Sequence, residues 1–165
     1  MPNFLETDRL FLRAFTATDV DHLLALDNDP EVMRFINGGR PASREVIETR
    51  TLPRLLHDYP CWRTRGYWAA QEKHTGTFLG WFEFRPLEEH SPAVVDLVHK
   101  GFAELEVERV TANTMAVNTR SRRVMEKSGL SFVRNFTGDW PEAIEGSEHG
   151  EVEYELTRTE WEQHR

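Results

Sequence analysis

The segment from Arg109 to Leu130 constrains this chain more than any other. Arg109 to Val117 is a β-forming run, with Val110, Ala112, Thr114 and Ala116 on one face. Asn118 follows at once, and asparagine is a leading helix-cap residue. Gly129 stands where a helix that starts at Asn118 would end in a left-handed residue. Ser131 to Phe136 then reads as another strand. A strand that enters a capped helix of set length and leaves into a second strand is a crossover unit. The same alternation recurs just upstream, so the middle of the chain predicts an α/β fold with some parallel pairing.

The flanking segments fit that class. Arg9 to Phe15 reads as a strand, and Thr18-Asp19 caps a helix carrying Val20, Leu23, Leu24 and Leu26. Asn28-Asp29-Pro30 ends that helix. Glu31 to Ile36 gives one short turn, which Asn37-Gly38-Gly39 breaks. A second helix starts at Ser43 and runs to about His57, with a kink or break expected at Pro53. Gly66 to Ala70 and Phe78 to Phe84 form a hairpin about His74-Thr75-Gly76. Ser91-Pro92 resembles a helix start, and Val94, Val98, Phe102 and Leu105 recur at helical spacing as a buried stripe. Trp140 to Gly150 is a polar loop. Val152, Tyr154 and Leu156 alternate along a last strand.

At 165 residues, with no repeat, low-complexity tract or linker, the chain reads as one domain. It has 39% hydrophobic and 29% charged residues, the composition of a packed globular protein. A net charge of −8 repels phosphate backbones and argues against nucleic acid. The same charge favours a cationic acceptor, or serves solubility alone. Cys61 is the single cysteine, so no internal disulfide forms. The seven histidines are scattered, and no Cys/His group has zinc-ligand spacing. The first residues have no long apolar run, and no stretch approaches a membrane span. A cytoplasmic protein without metal or membrane partner is expected.

The segment Arg109 to Leu130 resembles the strand, Asn-x-x-Ser helix start and Glu-Lys-x-Gly-Leu helix end of the GNAT (Gcn5-related) N-acetyltransferases, in their RimJ/RimL-like branch. Thr7 to Arg13 is similar to that branch's first strand, and Leu79-Gly80-Trp81-Phe82-Glu83 to its third. The resemblance implies a mixed sheet with helices on both faces. Acetyl-CoA would lie at the splay beside Val117, and its acetyl group would pass to a primary amine on a small molecule or a protein N-terminus. Such a transfer needs a base for the ammonium, a donor at the thioester carbonyl and an acid for the departing thiolate.

The resemblance also implies the site. The edge of the strand that holds Met115 and Val117 would bond the pantetheine amides. Asn118 would cap the helix or bond the cofactor. Ser121 would donate a proton to the thiolate, or stand as an ordinary first-turn serine. Arg120, Arg122 and Arg123 would meet phosphates, or form a solvated face. Asp139 and Glu142, beside Trp140, are the candidates for the base. The turn Asn28 to Phe35 corresponds to the acceptor-side loop.

The sequence departs from the family at one place. The fourth strand and the Gly-rich loop that holds the pyrophosphate should precede the stripe helix. Only Leu87-Glu88-Glu89-His90-Ser91-Pro92 stands there after Phe84-Arg85-Pro86. A sheet that lacks one central strand is expected, with an open edge that invites pairing between two copies. The alternative is a catalytically impaired or non-catalytic descendant that serves as a binding or oligomerising module.

Overall fold

The computed structural model describes residues 3–59, 64–83, 95–138 and 143–163. The chain divides into two compact units, Met1–Arg85 and Pro86–Arg165.

In the first unit, β1 (Leu5–Glu6), β2 (Leu10–Arg13), β5 (Tyr67–Glu72) and β6 (Phe78–Glu83) form one antiparallel sheet in the order β1-β2-β5-β6. The expected hairpin is there, with Ala69 opposite Trp81 and Ala70 opposite Gly80. A separate two-stranded ladder joins β3 (Asp58–Tyr59) and β4 (Thr64–Arg65). The helical segments are α1 (Val20–Asp27), α2 (Pro30–Asn37) and a run comprising α3 (Arg44–Val46), a π turn (Ile47–Thr51) and α4 (Leu52–Leu55). Phe15, Leu23, Ile47, Leu52, Leu55, Tyr67 and Ala69 make the buried cluster.

The π turn is how this sequence tolerates Pro53. Proline removes an amide donor and crowds the preceding turn. One wider turn just before it lets the helix continue. The wider turn also spaces Ile47 and Leu52 so that both are buried. Residues Pro30–Asn37 form a full helix where only a short turn was expected. Pro30 is its first residue, the Asp29 side chain accepts from the Glu31 amide at 2.9 Å, and Gly38 closes it at φ 75°.

Asp19 does not cap α1 in the expected way. Its carboxylate turns back to accept the Thr16 amide at 2.8 Å and the Thr16 hydroxyl at 3.0 Å. It also takes a two-pronged contact from Arg13, at 2.6 and 2.9 Å. The group is 2% exposed. Burial pushes its carboxyl up, but the bonds from Arg13 and Thr16 and the Arg13 charge outweigh it, so its pKa ends below the ordinary aspartate range.

In the second unit, β7 (Arg109–Met115), β8 (Ser131–Phe136) and β9 (Glu151–Thr157) form a sheet in the order β7-β9-β8. Helix α6 (Thr119–Lys127) joins β7 to β8, α5 (Val95–Glu104) precedes β7, and α7 (Arg158–Gln163) follows β9. Every described ladder is antiparallel, so the expected parallel pairing is not among them. The reason is the position of β9. The crossover through α6 does set β7 and β8 in the same direction, but β9 lies between them and pairs with both. Val152, Tyr154 and Leu156 on β9 are buried, as their alternation predicts. Val98 and Phe102 of the stripe helix are buried too. Val94 and the Ser91-Pro92 start lie outside the described residues, as does the stretch 84–94 where the family's fourth strand would fall.

Replacing Asp19 with asparagine should lower unfolding free energy by about 2–3 kcal/mol, because charged hydrogen bonds are lost and Arg13 loses its partner. A carboxyl with a depressed folded pKa stabilises above its unfolded value and loses that stability as pH falls through the folded one. The resistance of the natural chain to urea should therefore fall below about pH 4, and that of the Asp19→Asn chain should fall less steeply over that range.

Candidate active site at the β7–α6 junction

The site sits where β7 turns into α6. The Asn118 amide donates to the Met115 carbonyl at 2.9 Å and the Thr119 amide to the Val117 carbonyl at 2.9 Å, closing a tight turn. The Asn118 side chain then caps the helix, its Oδ1 accepting from the Ser121 amide at 3.2 Å. An amide-donated bond can only go to the oxygen, so the Nδ2 donor is left over. It makes no hydrogen bond to a described residue. Capping and ligand binding are thus compatible in this one side chain.

Ser121 lies in the first turn, half-buried, and its hydroxyl makes no hydrogen bond to a described residue. The first turn holds no acidic residue. The Thr119, Ser121 and Arg122 amides are already bonded, to Val117 O, Asn118 Oδ1 and Asn118 O, so it is the positive end of the helix dipole that favours an anion here. Arg120 and Arg123 are exposed beside it. Arg122 behaves differently: its Nε donates to the Tyr154 hydroxyl at 3.2 Å and its Nη1 to the Ala116 carbonyl at 3.1 Å.

The backbone of β7 offers a second set of groups. The Ala116 amide bonds Gly150 O at 2.9 Å on the β9 side. By strand alternation, Thr111, Asn113 and Met115 turn their backbone groups to the opposite edge. No described strand occupies that edge. An extended chain with amide groups can pair there as a strand would.

Two glycines shape the wall of the turn. A Cβ on Gly146 would lie 2.6 Å from Val117 Cγ2 and 3.4 Å from Met115 Cε, and its φ is 90°. A Cβ on Gly150 would lie 2.6 Å from the Phe136 carbonyl, and its φ is 72°. Both are left-handed positions suited to glycine. The polar composition of this loop gave no sign that it packs on Val117. Met115, expected at the cofactor edge, has its side chain 2% exposed, so only its backbone is available there.

Asp139, Glu142 and Trp140 lie outside the described residues. In the first unit, the Asn28 to Phe35 stretch covers the α1–α2 junction and most of α2, and there Asn28 Nδ2 donates to Leu24 O and Ala42 O. Just before it, burial pushes the Asp27 carboxyl above its ordinary range, with the Arg54 charge opposing. That perturbed carboxyl was not singled out by the sequence. Among the described residues no group of histidines, cysteines and acids could hold a metal, and no helix is long and apolar enough to cross a membrane.

Comparison with known proteins gives the class to which this strand, capped turn and helix start belong. The pattern of the acetyltransferase (GNAT) domain family matches residues 9–97 and 91–131. A curated relative, the FsC-acetyl coenzyme A-N(2)-transacetylase of Aspergillus fumigatus, is 30% identical over 186 residues, covering 95% of this chain and 77% of its own. Among solved structures, a GNAT-family acetyltransferase from Bacillus anthracis superposes with TM-score 0.67 at 19% identity, over 94% of this chain and 98% of its own. AAC(6')-Ib in complex with paromomycin and acetyl-CoA gives TM-score 0.69 at 18% identity, over 96% and 98%. The chain belongs to the GNAT acetyltransferase family.

Alanine at either glycine should destabilise the fold, by about 1–3 kcal/mol at Gly146. The cost at Gly150 should be larger, because its Cβ meets a backbone carbonyl that cannot swing away. Thermal melts of Gly146→Ala and Gly150→Ala, compared at equal protein concentration, check the order.

Proposed function

We propose that this chain transfers the acetyl group of acetyl-CoA to the primary amine of a small, cationic molecule. The observation that carries this is the β7–α6 junction, where Asn118 Nδ2 and the Ser121 hydroxyl make no hydrogen bond to a described residue. Bound acetyl-CoA supplies an activated acyl thioester. The open β7 edge fits the pantetheine amides, Asn118 Nδ2 fits a carbonyl, and the α6 N-terminus with Arg120 and Arg123 fits phosphate oxygens. Ser121 holds its proton at Oγ, ready for a departing thiolate, and a carboxylate at Asp139 or Glu142 takes the acceptor's proton.

The acceptor class rests on the −8 charge and on the relatives' names, which pair this fold with FsC and with paromomycin. A protein N-terminus is the competing acceptor. We place the chain in the RimJ/RimL-like branch, on Thr7 to Arg13 and Asn118 to Leu130, and read its two units as parts of one acetyltransferase domain. Sheet edges that no described strand occupies support a homodimer, and a cytoplasmic location fits the single cysteine.

A specific observation keeps the impaired-module reading alive. The alignment with the fungal relative spans 186 residues, more than the 165 this chain has. The family pattern also matches in two pieces that overlap at 91–97. Both support a missing block between β6 and α5, where relatives carry the pyrophosphate loop. Each lost charged hydrogen bond would cost about 1.5–3 kcal/mol. The named relatives are acetyltransferases, which favours the first reading.

Calorimetric titration of acetyl-CoA separates the two. Micromolar affinity is expected from an active transferase, and no heat at millimolar ligand from a folded chain would leave only the module. Asn118→Asp sharpens the test, since aspartate keeps the cap but lacks the Nδ2 donor. Its melting temperature should match the natural chain, while acetyl-CoA affinity should fall about tenfold or more for the lost bond. Equal affinity in both chains would remove Asn118 from the site.

A further inference from the structure

We infer that Tyr154, Arg122 and Glu126 form a positioning device that sets the β7–α6 turn for acetyl transfer, so that Arg122 acts through the turn and not as a phosphate contact. The functional part of this rests on the reading of Asn118 and Ser121 given above.

The geometry is a continuous chain of bonds. Tyr154 lies on β9, the central strand, opposite Ala112 on β7 and Phe132 on β8. It is 1% exposed, so its hydroxyl needs partners inside the fold. It has two: it accepts from Arg122 Nε at 3.2 Å and donates to Glu126 Oε1 at 3.0 Å. Arg122 and Glu126 are four residues apart on α6 and so share a face. The second prong of Arg122 reaches the Ala116 carbonyl at 3.1 Å. Ala116 is itself tied through its amide to Gly150 at 2.9 Å.

The placement of the anchored residues matters. Ala116 stands two residues before Asn118, and Arg122 one residue after Ser121. The guanidinium therefore grips the turn on both sides of the two groups that face the cofactor. Packing alone would not require this: the tyrosine ring meets Phe132 edge-on at 5.8 Å, and phenylalanine would keep that contact. The hydroxyl is needed only to hold Arg122 and Glu126. A planar fork can reach both Tyr154 and Ala116, whereas a lysine ammonium is a point charge on a flexible stem.

The test uses the full chain with Tyr154→Phe and Arg122→Lys, read by amide hydrogen exchange and by steady-state kinetics. In both variants the amides of residues 119–122 should exchange about tenfold faster or more, while those of central β9 stay as in the natural chain. Where the natural chain is active, kcat/KM for acetyl-CoA should fall about 10- to 100-fold with acceptor KM unchanged. Unchanged exchange at α6, or equal acceleration across the whole second unit, would overturn the inference. So would full activity in Arg122→Lys, because a phosphate contact needs only the charge. A natural chain without transferase activity would sink the proposed function, and the exchange pattern would still decide whether the device exists.

Discussion

One hydrogen bond, from the Ser121 amide to Asn118 Oδ1, decides where α6 begins. A helix that started one residue earlier or later would rotate its first turn by about 100°. Ser121 would then face another direction, and Arg122 could not reach Tyr154 and Ala116 together. The cap also sorts the two ends of the asparagine amide. Its oxygen is fixed inward by the helix, and its nitrogen is left as a donor at the mouth of the turn.

Around that turn the second unit is tied by polar contacts as much as by apolar packing. Arg158 Nη2 donates to Phe102 O at 3.0 Å and Val107 O at 2.9 Å, joining α7 to the end of α5. Trp161 on α7 stacks on Phe102 at 5.3 Å between ring centres. In the first unit the Arg13–Asp19 pair has the same function, fixing the end of β2 to the start of α1. Arginine suits both places because one planar group can satisfy several acceptors at once.

Helix α7 carries a start signal that is written in the sequence. Thr157 and Glu160 form a capping box, with Glu160 Oε2 accepting from the Thr157 amide at 2.9 Å and its hydroxyl at 2.6 Å. The Thr-x-x-Glu spacing is plain in the sequence, but it follows a strand with no intervening loop. By contrast β1 is only Leu5–Glu6, too short for any periodicity to show. The tie between Gly146 and Val117 was hidden for another reason: the residues are far apart in sequence, and glycine has no side chain to advertise a contact.

By itself the sequence determined the local pieces: the strands of β7, β8 and β9, the Asn118 cap and the Gly129 stop, with φ 84°. Each depends on residues within a turn or two, where propensity and capping act directly. It also carried the family, because the Asn118 to Leu130 stretch is a local pattern. Only the tertiary structure decided that β9 would enter between β7 and β8, that the Asn118 nitrogen would find no partner among the described residues, and that Arg122 would turn inward to Tyr154. Those outcomes join residues far apart in the chain, 32 positions for Arg122 and Tyr154 and 48 for Arg109 and Thr157. A guanidinium, free to point outward or inward from a helix, takes its direction from the partners that the fold brings within reach.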